Sequence, residues 1–106
     1  TGRPQMREVP GSEFELDVEL VLLALGFVHP IHEGMLQELD MKLDARGNVA
    51  CDDKKMTSVE GIFVAGDMTR GQSLVVWAIA EGREAARSVD LHLMGDTQLP
   101  HSQFLK

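Results

Sequence analysis

Apolar and polar residues alternate from Leu16 through Asp17, Val18, Glu19 and Leu20, and the chain then runs unbroken as Val21-Leu22-Leu23-Ala24-Leu25 up to Gly26. The alternating half predicts a strand with one wet face. The continuous half predicts a strand buried on both faces, as in a parallel sheet covered by helices. A second short run of that type, Ile62-Phe63-Val64-Ala65, ends in Gly66-Asp67. Beyond it, Val75, Ala78, Ile79, Gly82, Ala85, Ala86, Val89 and Leu93 recur at i, i+3, i+4 and i+7, which predicts an amphipathic helix of about 20 residues with that stripe buried. Ser73 is its expected N-cap, with the helix beginning near Leu74, and Gly82 on the buried side predicts close helix–sheet approach.

The rest of the chain patterns more weakly. Arg3 to Val9 reads as an edge strand closed by the turn residues Pro10-Gly11-Ser12. Gly26 to Asp40 is mostly loop, with one helical turn around Met35-Leu36 and Leu39. Met41 to Asp44 and Asn48 to Cys51 alternate around Ala45-Arg46-Gly47, the pattern of a β-hairpin. The segment from Gly95 onward is polar, holds Pro100, and is expected to be a flexible tail. The fold class is therefore α/β.

Composition narrows the function classes. The 106 residues carry a formal charge of −7, which repels phosphate backbones and anionic membrane surfaces, so neither nucleic acid nor membrane is expected as a partner. Cys51 is the one cysteine, which excludes an internal disulfide and fits a reducing, cytoplasmic setting. It reads as a small apolar strand residue rather than a reactive thiol. His29 and His32 have a metal-like spacing, but Pro30 between them places both in a loop. The chain opens at Thr1 without an initiator methionine, and a piece of a longer protein is expected.

Candidate chemistry concentrates at Gly66-Asp67 and the helix that follows. In open α/β sheets ligands bind at the carboxyl ends of the strands, and a carboxylate there accepts hydrogen bonds from sugar-like hydroxyls. A helix start a few residues later leaves N–H groups free and favours an electron-rich group set against it. The bland alternative is that Asp67 only caps a helix or ends a strand. Val76 and Trp77 lie off the apolar stripe and read as packing residues.

The string Gly61-Ile62-Phe63-Val64-Ala65-Gly66-Asp67 and the following Ser73-Leu74-Val75-Val76-Trp77-Ala78-Ile79-Ala80-Glu81-Gly82-Arg83 resemble the second FAD-binding motif of the pyridine-nucleotide-dependent flavoprotein reductases. Within that group they are similar to the small (beta) subunits of NADPH-dependent glutamate synthases. Pro10-Gly11-Ser12-Glu13-Phe14, the strand ending Ala24-Leu25-Gly26-Phe27, and the turn at Arg46-Gly47 match in the same order. The resemblance implies a partial FAD/NAD(P)-binding Rossmann-like domain with a β-hairpin and one long C-terminal helix. By its terms residues 1–28 end the NADPH-binding domain and cross over, residues 29–94 form the C-terminal part of the FAD-binding domain, and residues 95–106 are the tail.

The same resemblance implies that Asp67 bonds the ribityl chain of FAD, that Gly66 lets the cofactor approach, and that the N–H groups at Ser73, Leu74 and Val75 face the pyrimidine end of the flavin. Gly26 would lie at the return from the NADPH-binding domain. The parent would pass electrons from NADPH through FAD and iron–sulfur clusters to a large (alpha) subunit that forms glutamate from glutamine and 2-oxoglutarate. No Gly-x-Gly-x-x-Gly occurs in the chain, so the phosphate cradle for either dinucleotide is absent from these residues. The fragment by itself is expected to hold no cofactor, to be inactive, and to associate as a homodimer or larger, because its two buried-type strands lack neighbours. Two other readings stay open: another iron–sulfur flavoprotein reductase of the same group, and a non-catalytic assembly module.

Overall fold

Three helices and three isolated antiparallel bridges make up the regular structure of the computed structural model, which describes residues 4–102. Helix α1, Met35–Glu38, is the single turn expected there, and its Leu36 is buried. Helix α2, Asp67–Arg70, is one turn that starts directly after Gly66. Helix α3, Val75–Met94, spans the 20 residues that the periodicity predicts and closes on Gly95 in the left-handed conformation. Leu36, Val49 and Val64 form the core, with Met41, Cys51 and Met68 packed around it. This apolar centre, small for 106 residues, draws α1, the 48–51 segment and α2 together.

The predicted strands do not form among the described residues. Residues 4–29 are exposed throughout, and Leu22 and Leu23 each show 80% of their surface to solvent. A strand buried on both faces needs ladders on both edges and layers above and below, and no described segment lies in those places. Arg3 lies outside the described residues, and the remainder of the expected edge strand forms no ladder. Val64 alone of the 62–65 run is buried; Phe63 makes one bridge to Met56. The expected hairpin amounts to a single Leu43–Val49 bridge, with the Asp44 N–H donating to the Asn48 carbonyl at 2.7 Å and the Asp44 carboxylate closing the turn onto the Arg46 and Asn48 N–H groups. The radius of gyration is 19.2 Å, against about 13 Å for a compact domain of this length.

Helix α3 buries the side opposite to the predicted stripe. Ala80, Glu81, Glu84 and Ser88 are buried, whereas Val75, Ile79 and Leu93 are exposed. At about 100° per residue these two sets lie on opposite sides of the axis. The physical reason is that Glu81 and Glu84 find hydrogen-bonding partners within the chain, while of the apolar stripe Ala78 lies beside Gly66, Ala85 and Val89 are half-buried, and the larger Val75, Ile79 and Leu93 stay exposed. Gly82 is exposed, and a Cβ there would have nothing within 4 Å, so it mediates no close approach. Ser73 is not the N-cap: Leu74 holds that position with extended backbone and no side-chain cap bond, which puts the Ser73 hydroxyl one residue too early. Beyond α3, Leu99 accepts a bond from Arg87 Nε, and the Glu84 carboxylate bonds His101 Nδ1 and the Ser102 N–H.

Candidate functional site

Gly66 has φ 72° and ψ −145°, a region open essentially to glycine alone. The turn it makes swings Asp67 into the first position of α2, and a Cβ on Gly66 would meet Ala78 of α3 at 3.7 Å. Its N–H donates to Glu81 Oε2 at 2.8 Å. Glu81 Oε1 in turn lies 2.7 Å from both Nε and NH2 of Arg70 and 3.4 Å from Lys55 Nζ. The Arg70 guanidinium also sits 4.6 Å over the Trp77 ring, which gives Trp77 a packing role within the chain. One buried carboxylate thus fixes the entry to α2, its last residue and the middle of α3. Burial by itself raises the Glu81 pKa and is the largest influence. The Gly66 N–H, the Arg70 hydrogen bond and the charges of Lys55 and Arg70 together outweigh it and hold the carboxyl below the ordinary 4.5.

Asp67 opens onto a concavity of about 350 Å³ shared with Phe27–Ile31, Asn48, Met68, Gly71 and Gln72. It is mostly apolar, with His29, Asn48, Asp67 and Gln72 as its polar side chains, the composition of a small-ligand site at the low end of the usual size range. The Asp67 carboxylate is exposed and bonds no group among the described residues. Gln72 Oε1 accepts the Phe27 N–H at 3.4 Å and lies 3.1 Å from where a Cβ on Gly26 would stand. Gly26 is therefore brought beside the concavity, at the point where the exposed arm meets the α2–α3 turn.

Of the predicted residues, Asp67 lines the concavity. Gly66 is buried directly before it against Ala78, and Gly26 adjoins the lining residues Phe27 and Gln72 without lining the concavity itself. Ser73, Leu74 and Val75 are exposed and do not line it, although the first turn of α3 carries no side-chain cap and leaves its N–H groups open. His29 and His32 stack at 4.1 Å between ring centroids, and His32 Nε2–H donates to the Gly47 carbonyl. Cys51 Sγ lies 3.3 Å from Thr69 Oγ1 beside the core.

Residues 3–82 match the family described as pyridine nucleotide-disulphide oxidoreductase. That is three quarters of the sequence. The chain belongs to this family. It is 61% identical over 93 residues to the glutamate synthase [NADPH] small chain of Mycobacterium tuberculosis, covering 88% of this chain and 19% of that one. Over 99 residues it is 41% identical to the glutamate synthase [NADPH] small chain of Bacillus subtilis, covering 93% of this chain and 20% of that one. Against the glutamate synthase [NADH] of Schizosaccharomyces pombe it is 48% identical over 100 residues, covering 93% of this chain and 5% of that one. The chain spans about a fifth of the length of the small chains it matches. The family implies a Rossmann-like fold, of which the described residues show helices and bridges but no strand ladder.

Residue-pattern reasoning missed Glu81, Arg70 and Asn48. Glu81 carried a signal, since it is the sole charge between Arg70 and Arg83 in an otherwise uncharged stretch. A lone charge in such a run asks for a buried partner. Asn48 carried none, because an asparagine after a glycine in a turn is read as a turn residue.

Proposed function

We propose that this chain supplies one wall of the flavin site in the small subunit of a glutamate synthase, an oxidoreductase that takes electrons from a reduced nicotinamide. The observation that carries the reading is Asp67: a carboxylate placed by a glycine-only turn, open to an apolar concavity, with no bonding partner among the described residues. The similarity to small chains over most of the sequence supports it. The residues present fit a flavin, since the concavity pairs apolar walls with a hydroxyl-accepting carboxylate and holds an unpartnered buried oxygen on Asn48.

When bound, FAD accepts hydride from a nicotinamide and releases electrons one at a time. In this reading Asp67 orients the ribityl chain, and Gly66 both positions Asp67 and leaves room for the cofactor. The open N–H groups at Ser73, Leu74 and Val75 stabilise negative charge on the pyrimidine side. Gly26 lies toward the nicotinamide side. The names of the relatives divide between NADPH and NADH; we propose NADPH on the 61% identity to the Mycobacterium tuberculosis small chain. Electrons would leave through iron–sulfur clusters to a large (alpha) subunit in the cytoplasm, and the remaining dinucleotide contacts would come from parts of the subunit outside these residues.

The test is Asp67→Ala in the full-length subunit. FAD affinity, read by quenching of flavin fluorescence, is expected to fall about tenfold or more, with the melting temperature of the flavin-free protein unchanged. Equal flavin affinity in the variant would return Asp67 to a purely structural role. A wild-type subunit that binds no flavin would refute the whole reading.

A further inference from the structure

Asn48 is 2% exposed, and its side-chain Oδ1 is enclosed without a hydrogen-bond donor among the described residues. A buried carboxamide oxygen left unpaired is destabilising, and such groups in native proteins are few. The backbone around it is fully used: the Asn48 N–H donates to Asp44 Oδ1 and its carbonyl accepts the Asp44 N–H. The side chain plays no part in that turn. It lines the same concavity as Asp67.

Gly71, the next part of the wall, has φ 84°, and a Cβ there would come to 3.3 Å of Asn48 Nδ2. Glycine at 71 therefore keeps the space over the carboxamide clear. A half turn about the terminal side-chain torsion exchanges Oδ1 and Nδ2, two atoms of nearly equal size, so either polar end reaches the Gly71 side of the concavity. A hydroxyl suits such a group best, because it donates to the oxygen or accepts from the nitrogen.

We infer that Asn48 is a second polar contact of the concavity, hydrogen-bonding a hydroxyl of the same polyol chain that Asp67 holds. This rests on the flavin reading above, with the ribityl chain as the polyol. Asp67 takes a hydroxyl from the open side of the concavity and Asn48 takes one from its buried floor. Together they fix the chain at two points, which limits its rotation and so sets where the attached ring lies.

The experiment uses the full-length subunit, stripped of flavin and carrying Asn48→Leu or Asn48→Ala, titrated with FAD, riboflavin and lumiflavin, the last having the ring but no ribityl hydroxyls. Both variants are expected to bind FAD and riboflavin about tenfold more weakly, with lumiflavin affinity unchanged when titrated to matching occupancy. The flavin-free Asn48→Leu protein should melt no lower than wild type, since the substitution removes an unpaired buried polar atom. Undiminished riboflavin affinity would overturn the inference, as would an equal loss for lumiflavin, which would place the contact on the ring. Failure of both variants to fold would also overturn it, because it would make Asn48 structural. A wild-type subunit that binds none of the three flavins refutes the flavin reading itself, a distinct outcome.

Discussion

Glu81 Oε2 accepts the Gly66 N–H at 2.8 Å, so the middle of α3 holds the residue that sets the position of Asp67. The bond runs through a carboxylate that is 2% exposed and that also engages Arg70 and Lys55. Sites are held in working geometry by such supporting contacts. Here the support lies on the helix face that the periodicity predicted to be solvent-facing.

Replacing Glu81 by alanine leaves the Gly66 N–H without an acceptor and two cations without their counter-charge. Breaking a buried pair in this way costs about 3 kcal/mol, and partial exposure of Arg70 lowers the expected loss to about 2 kcal/mol. Glu81→Gln keeps an oxygen for Gly66 and should lose about half as much. Urea unfolding of the subunit carrying each substitution measures both.

Glu81 also predicts a pH dependence. Its folded-state pKa lies below 4.5 because the Gly66, Arg70 and Lys55 contacts outweigh burial. A carboxyl depressed on folding contributes stability that is fully present above its unfolded pKa and is lost as pH falls through the folded value. Glu84 is shifted the same way: burial, its largest influence, is outweighed by the Ser102 N–H and by His101 and Arg87. The unfolding midpoint should therefore decline with acidification below about pH 4.5, and Glu81→Gln should flatten that decline. A midpoint equally steep in the variant would show that other carboxylates govern the acid limb.

Two glycines separate the structure from the sequence pattern. Gly66→Ala forces a side chain into a conformation that costs about 1–3 kcal/mol, and it should lower FAD affinity together with stability. Gly82→Ala should do the reverse and stabilise α3 by about 0.5–1 kcal/mol, because Gly82 is exposed with open space around it. Thermal melts of the two variants should move in opposite directions.

The exposed stripe of α3 and the apolar arm at 16–28 leave large hydrophobic side chains in solvent, a condition that favours association. The isolated 106-residue chain is expected to form dimers or larger species at tens of micromolar, and Val75→Asp with Ile79→Asp should shift sedimentation toward the monomer. The same isolated chain should retain FAD weakly or not at all. Copurification of flavin at near-equal molar ratio would show that these residues suffice for the site.

The sequence by itself determined the elements whose cause is local. The 3.6-residue period and the Gly95 stop set α3 over Val75–Met94, Gly34 precedes the α1 turn, and Gly66-Asp67 marks the strained corner at the concavity. The family, too, was legible in the string from Gly61 to Arg83. Only the tertiary structure decided which side of α3 is buried, because amphipathic period fixes a stripe but not what meets it. Burial followed the hydrogen bonds available to Glu81 and Glu84 instead. It also decided that Val21–Leu25 stands exposed, since ladder pairing depends on residues distant in the chain, and that Asn48 faces the concavity, since a turn residue's neighbours across space leave no mark on its neighbours in sequence.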